Sequence, residues 1–275
     1  MEPVAGGCRR PRARDERVDQ LRAGGPGDLI EALLFNAVRV LTFAGATPLT
    51  SGSGFWFRRD GRLFLVTSRH VFFDAASGHQ PDRVEFDVHV DQHDLTRTAV
   101  TRLSLYVHGH SAWIQGQDSG GDVDVAALEV VASQLPAGAI ISALGPAHLE
   151  TDFERVHAAA PLAIVGFPLG FYDTLHRLPV VRQATVASAF GVRFQGRGFF
   201  LTDARLHRGA SGAPVVMRRE GDGSELPWSL LGIHSSQFDM GTRDRLQDES
   251  LGLNCAWYAD ILMTLTAQSL GSRAE

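Results

Sequence analysis

The chain has 275 residues, 44% hydrophobic and 21% charged side chains, and a formal net charge of −5. These proportions are typical of a globular protein and exclude a disordered or fibrous chain. All 26 basic side chains are arginines, which excludes lysine-based covalent mechanisms and Walker-type phosphate loops. Cys8 and Cys255 are too few for a four-cysteine zinc site. The acidic balance does not favour a nucleic-acid partner. Serine, histidine and carboxylate chemistry remains.

Residues 1–27 are rich in Arg, Gly and Pro and show no apolar periodicity, which predicts a flexible, solvated N-terminal tail. No apolar segment resembles a secretory signal or reaches the length of a membrane span. We therefore expect a cytoplasmic protein without a membrane partner.

The chain from residue 28 onward predicts an all-β protein with a short helix at each end. Asp28 caps the first helix, and the alternating segment 37–43 predicts a strand. Asp60-Gly61 predicts the turn of a hairpin over 54–67. Further strands are predicted at 83–90, 100–107, 124–130, 162–165, 182–188 and 199–203, followed by a hairpin of 213–217 with 228–233 and a terminal helix over 259–270.

Short strands separated by Gly, Pro and Asp turns indicate barrels or a sandwich. The Ala/Gly/Pro-rich stretch around 136–161 is the best boundary between two lobes. We therefore predict a first β lobe over 28–150 and a second over 151–275.

Ser211 lies between small residues in the segment Gly209-Ala-Ser-Gly-Ala-Pro. Glycine allows a close approach of substrate, and the N–H groups of Gly209 and Ser211 are candidates for an oxyanion hole. The alternative is a flexible surface turn, for which this composition is also ordinary.

His70 follows an apolar strand, and Asp124 stands at the head of another. Together with Ser211 they supply a nucleophile, a general base and a carboxylate that orients the base. Asp122 has the same strand parity as Asp124 and competes for the third role.

The segments Gly52-Ser-Gly-Phe, Val66-Thr-Ser-Arg-His70-Val, Asp124-Val-Ala-Ala-Leu and Gly209-Ala-Ser-Gly-Ala-Pro resemble the signatures of chymotrypsin-like (trypsin-fold) serine proteases. They are most similar to the bacterial trypsin-like peptidases that include HtrA/Deg proteases and glutamyl endopeptidases. The resemblance covers residues 37–262 and selects Asp124 over Asp122. It implies two six-stranded antiparallel β-barrels with the site between them.

The resemblance also implies roles for individual residues. His70 acts as general base, Asp124 orients it, and Ser211 forms an acyl-enzyme on protein or peptide substrates, without a cofactor or metal. Leu206, His234, Ser235 and Ser236 are the expected substrate-binding residues. Gly-Ile-His234 is similar to glutamyl endopeptidases and predicts a preference for Glu, Asp or Gln before the scissile bond. Leu206 departs from that pattern, and a core histidine is the alternative for His234.

Ala210 replaces the aspartate that proteases activated by cleavage place before the nucleophile, so activation by an inserted N-terminus is not expected. One rival hypothesis is a catalytically weak peptide-binding or scaffolding module. Another is a metal-dependent hydrolase that uses the histidine-rich cluster of His89, Asp91, His93, His108 and His110. A regulatory protein partner stays open.

Overall fold

The computed structural model describes residues 30–237 and 252–267. The predicted tail, 1–27, lies outside these residues. The predicted first helix is, within the described part, a single 3-10 turn at Ala32–Phe35. The predicted terminal helix, 259–270, is observed as the short α2, Ile261–Leu265, with turns at residues 259–260 and 266–267. Residues 268–270 of that prediction also lie outside the described part.

The first lobe is a seven-stranded antiparallel sheet in the order β5-β4-β1-β2-β3-β9-β8. A short helix, α1 (Arg69–Phe72), follows β3. The strands are β1 (Ala37–Ala44), β2 (Thr47–Arg59), β3 (Arg62–Thr67), β4 (Arg83–His89), β5 (Thr98–Ser104), β8 (Trp113–Asp118) and β9 (Gly121–Val130), with a separate small sheet of β6 (Tyr106–Val107) and β7 (His110–Ser111).

This sheet is not closed, which differs from the six-stranded barrel expected for the first lobe. Between its edge strands β5 and β8, the chain pairs with itself as the β6–β7 hairpin. One backbone hydrogen bond, from the Ala112 N–H to the Leu105 carbonyl, runs across the base of that hairpin. Side chains cover the interior instead, since Leu105 and Trp113 are both buried in the core of this lobe.

The second lobe is a closed six-stranded barrel, which confirms the expectation for this half. Its order is β10-β11-β12-β15-β14-β13. The strands are β10 (Pro161–Gly166), β11 (Val180–Val186), β12 (Phe199–Asp203), β13 (Pro214–Arg218), β14 (Trp228–Gln237) and β15 (Leu253–Tyr258). The six strands pair antiparallel around the barrel.

Three strands, β7, β8 and β15, were not predicted. The β8 sequence, Trp-Ile-Gln-Gly-Gln-Asp, contains glycine and consecutive polar residues, which weaken the alternation that marks a strand. Between the lobes, residues 131–160 contain the 3-10 turns Ala132–Gln134, Pro146–His148 and Phe153–Arg155. Others lie at Pro168–Gly170 and Phe194–Gly196. The lobe boundary at residue 150 stays a prediction.

The two lobes share one apolar core. Phe55 and Phe57 of β2 lie in the same buried cluster as Leu201 of β12 and Trp257 of β15. Burial of such aromatic side chains stabilises the contact by roughly 1.5–3 kcal/mol each. This packing holds the inner edges of the lobes together and fixes the cleft between them.

Candidate active site

His70 lies in α1, three residues beyond the end of β3, and faces Asp124 of β9. Its Nδ1 is 2.7 Å from Asp124 Oδ2. Its backbone N–H donates to Asp124 Oδ1 at 2.9 Å. The carboxylate therefore contacts both the ring and the main chain of the same residue, which fixes the orientation of the imidazole.

The two groups change each other's acidity. Burial lowers the pKa of His70, but the hydrogen bond and the negative charge of Asp124 outweigh it, so the pKa is raised. Burial also opposes ionisation of Asp124, yet the bonds from His70 and Ser235 hold the pKa of this carboxyl below its ordinary value. Asp124 is therefore ionised at neutral pH.

Asp122, the rival carboxylate, lies elsewhere. Its side chain is 57% exposed, 3.8 Å from Arg69, and accepts a hydrogen bond from Gln117. The structure thus brings Asp124, and not Asp122, to His70. Asp124 accepts a further bond from the hydroxyl of Ser235 in β14, which joins the carboxylate to the second lobe.

Ser211 stands between β12 and β13 at the wall of an open cleft of about 840 Å³ that His70 also lines. Its hydroxyl donates to the backbone carbonyl of Ser235 at 2.7 Å. A rotation about χ1, between staggered positions, would turn the hydroxyl elsewhere. Ser211 and His70 therefore share one cleft, and the serine hydroxyl points at β14 in this structure.

Successive peptide groups beside Ser211 are held by hydrogen bonds. The Arg208 carbonyl accepts from the Leu169 N–H, and the Ala210 carbonyl accepts from the Ala213 N–H. Because N–H and C=O point in opposite directions across a trans peptide, these bonds direct the N–H groups of Gly209 and Ser211 the other way. Neither N–H has an acceptor within the described residues. The donors of an oxyanion hole must likewise be free of acceptors within the protein.

Ser53 is a residue to which the sequence analysis gave no role. This fully buried serine of β2 donates to the Gly209 carbonyl at 2.7 Å and accepts from the Phe167 N–H at 2.9 Å. Its own N–H donates to the Ser211 carbonyl at 2.9 Å. A serine between two glycines inside an apolar strand was the signal that could have drawn attention to it.

The expected substrate-binding residues are covered in this structure. Leu206 and His234 are each 2% exposed and Ser235 is 4% exposed, and none of them lines the open cleft. Burial, with a smaller effect of the charge on His70, lowers the pKa of His234 to about 3. Among the described residues, its Nδ1 has no hydrogen-bond partner. Ser236 belongs to β14, but its side chain lies outside the described part.

The histidine-rich cluster does not assemble. His89 Nε2 lies 2.6 Å from the His176 carbonyl, whereas Asp91 accepts from the backbone of His93 and from Arg97. In the described residues, no group of three or more His, Cys, Asp or Glu side chains is placed to hold a metal ion. No helix of residues 30–237 and 252–267 is long and apolar enough to cross a membrane.

A family model described as a trypsin-like peptidase domain matches residues 52–222. No other curated protein matches the chain.

The solved structures that are similar to this chain include the following two. One is a serine endoprotease from Yersinia pestis, with 17% identity, a TM-score of 0.48 and coverage of 88% of this chain. The chain spans only 64% of that protein. The second is an inactive serine-to-alanine mutant from M. tuberculosis, with 13% identity, a TM-score of 0.48, and coverage of 91% of this chain and 95% of the other.

Proposed function

This chain belongs to the trypsin-like peptidase family, and from that premise we propose that it is a serine endopeptidase that uses Ser211, His70 and Asp124 as a catalytic triad. The observation that carries the proposal is the double contact of Asp124 with the ring and the backbone of His70. A carboxylate in this position keeps the imidazole in the tautomer whose other nitrogen accepts a proton.

In the proposed reaction, His70 Nε2 takes the hydroxyl proton of Ser211 as Oγ bonds to the substrate carbonyl carbon. The N–H groups of Gly209 and Ser211 stabilise the oxyanion. His70 then protonates the leaving amine, and the C–N bond breaks to give an acyl-enzyme. Water, deprotonated by His70, then attacks the ester carbonyl carbon. The bond from that carbon to Ser211 Oγ breaks, His70 returns the proton to Oγ, and the acid product leaves.

We propose the lobe assignment that goes with this reaction. The first lobe, 28–150, contributes His70 and Asp124, and the second, 151–275, contributes Ser211. In this proposal the open sheet of the first lobe replaces one of the two barrels of the chymotrypsin fold. Protein or peptide substrates bind in the cleft between them.

The substrate side chain before the scissile bond is proposed to be Glu, Gln or Asp, bound near His234 with Leu206, Ser235 and Ser236 around it. His234 is neutral at pH 7 because burial lowers its pKa to about 3. A neutral imidazole offers one N–H donor, which a side-chain carboxylate or amide oxygen can accept.

Labelling with a fluorophosphonate probe tests the triad. Wild-type protein should be labelled, Ser211→Ala should not, and His70→Ala should be labelled far more slowly. Ser224→Ala, in the exposed loop between β13 and β14, is the matched serine control and should label like wild type. Labelling that survives in Ser211→Ala would contradict the proposal.

A second candidate, a peptide-binding module with weak catalysis, is favoured by one observation: the Ser211 hydroxyl donates to Ser235 and not to His70. Folded wild-type protein that binds peptides but takes no label would support this candidate over the first.

A further inference from the structure

We propose that the cleft beyond Ser211 selects an acidic side chain within the first three residues after the scissile bond, through Arg39 and Arg208. This inference rests on the proposed function. Both arginines line the open cleft together with His70, Gly209 and Ser211.

The direction of the cleft indicates which half of the substrate it takes. In the proposed reaction, the residues before the scissile bond lie along β14, where Ser235 adjoins the triad. The open cleft extends away from that strand, and its walls come from the β1–β2 hairpin, the segment after α1 and the turn at Pro168–Gly170. The leaving half of the substrate therefore occupies it.

Arg39 is a half-buried arginine without an ion pair. Its guanidinium stacks over the ring of Tyr172 at 4.8 Å, and Nη1 donates to the Tyr172 hydroxyl at 3.2 Å. Its Nε is buried and has no partner within the described part of the chain. No carboxylate of the described residues lies within 4.0 Å of it, although many arginines of the chain, such as Arg62 and Arg83, form ion pairs. A held but unneutralised guanidinium favours an anionic ligand.

Arg208 adds a second positive charge next to the oxyanion hole. It precedes Gly209, its backbone is held by the Leu169 N–H, and its side chain is exposed without an ion pair in the described part. Asp74 lies on the same cleft but is bound to Ser77 and to the Ala76 N–H. Asp74 repels an anion from the end near His70, which leaves the arginine side for a carboxylate.

The spacing fits a short stretch of substrate. A Cβ on Gly209 would lie 3.4 Å from the Gly170 nitrogen, and a Cβ on Gly170 would lie 3.5 Å from Arg39 Nη2. Gly170 therefore lies between Gly209 of the proposed oxyanion hole and the guanidinium of Arg39. The distance from the scissile bond to Arg39 is then roughly the length of two or three extended substrate residues, at about 3.3 Å each.

Matched peptide substrates test this inference. Each pair shares its acyl half and differs only by Glu against Gln at the first, second or third residue after the scissile bond. All of these peptides carry a C-terminal amide. The same peptides with a free C-terminal carboxylate are measured separately, to detect recognition of the terminal carboxylate. We expect Glu to raise kcat/KM about tenfold at one of these positions, as one charge-assisted hydrogen bond would.

Arg39→Gln and Arg208→Gln should each reduce the ratio of Glu to Gln rates, and the double variant should bring it to about one, as expected when both charges are removed. Arg155→Gln, an exposed arginine outside the cleft without an ion pair in the described residues, should keep the wild-type ratio. A wild-type ratio of one, or a ratio that persists in the double variant, overturns the inference. If the wild-type protein took no fluorophosphonate label, the proposed function would be overturned, and this inference with it.

Discussion

The Ser53 hydroxyl in the first lobe donates a 2.7 Å hydrogen bond to the Gly209 carbonyl in the second. The Gly209–Ala210 peptide lies between the two peptides whose N–H groups form the proposed oxyanion hole. A buried side chain of one lobe thus fixes the backbone beside the nucleophile of the other.

Ser53→Ala should lower kcat about 10- to 100-fold, somewhat less than deletion of an oxyanion donor itself. Loss of the hydroxyl also leaves the Gly209 carbonyl and the Phe167 N–H unpaired, which should lower the free energy of unfolding by about 1–3 kcal/mol. Steady-state kinetics and denaturant unfolding measure the two effects.

Ser229→Ala is the matched control, since this buried serine also makes two side-chain hydrogen bonds, to Glu150 and Arg219. It should lose comparable stability and keep its kcat. An equal loss of kcat in both variants would show that Ser53 acts through stability alone.

The pH profile tests the pairing of His70 with Asp124. A general base must be neutral, so kcat/KM should rise with pH through the pKa of His70, which lies above its ordinary value. Asp124→Asn removes the interactions that raise this pKa and leaves burial, which lowers it. The midpoint should therefore move to lower pH, and the plateau should fall about 10⁴-fold.

Asp122→Asn changes a carboxylate two residues away that contacts Arg69 instead, and it should leave both midpoint and plateau unchanged. If the two variants exchanged these outcomes, the assignment of the third triad member would be reversed.

The His234→Leu variant distinguishes two roles for His234: binding of the substrate side chain, and packing in the core. If its N–H binds the substrate side chain, kcat/KM for Glu and Gln substrates should fall at least about tenfold, as for loss of one hydrogen bond to a charged or polar group. Leucine substrates should be unaffected. A uniform loss for all three substrates, with lower thermal stability, would indicate a core role.

Gly212→Ala should abolish folding or activity. The glycine has φ of 88°, and a Cβ there would collide with the Ser53 carbonyl and the Thr67 hydroxyl. Gly221→Ala provides the control, since Gly221 also has a positive φ, 72°, but nothing lies within 4 Å of its Cβ.

Gly221→Ala should therefore lower the free energy of unfolding only by the backbone strain of a positive φ, about 1–2 kcal/mol. Circular dichroism and thermal unfolding compare the two variants. If Gly212→Ala and Gly221→Ala were equally stable, the close contact of Gly212 with Ser53 and Thr67 would not matter for the fold.

The sequence predicted those features that are written into short segments. The Asp60-Gly61 hairpin and the segments around His70, Asp124 and Ser211 each depend on neighbours within a few positions. The closed second barrel pairs strands that are far apart in the chain, such as β10 and β13, and the family resemblance predicted it. The choice of Asp124 over Asp122 needed the family pattern, because strand parity gives both the same face.

Other features depend on contacts between distant residues, which local patterns do not contain. The Ser53–Gly209 bond joins residues 156 positions apart, and Arg39 stacks on and donates to Tyr172, 133 positions away. The open edge of the first lobe likewise follows from how residues 105–112 pair with themselves, and a strand count does not reveal it.

The close fit of Gly212 against β2 and the Ser68 N–H bears on the biosynthesis of the protein. The proposed nucleophile is shaped by a half of the chain that leaves the ribosome first, but the contact forms only after the second half has been made. In a nascent chain that still lacks the second lobe this contact is absent, so the segment of the proposed nucleophile is not yet held against the first lobe.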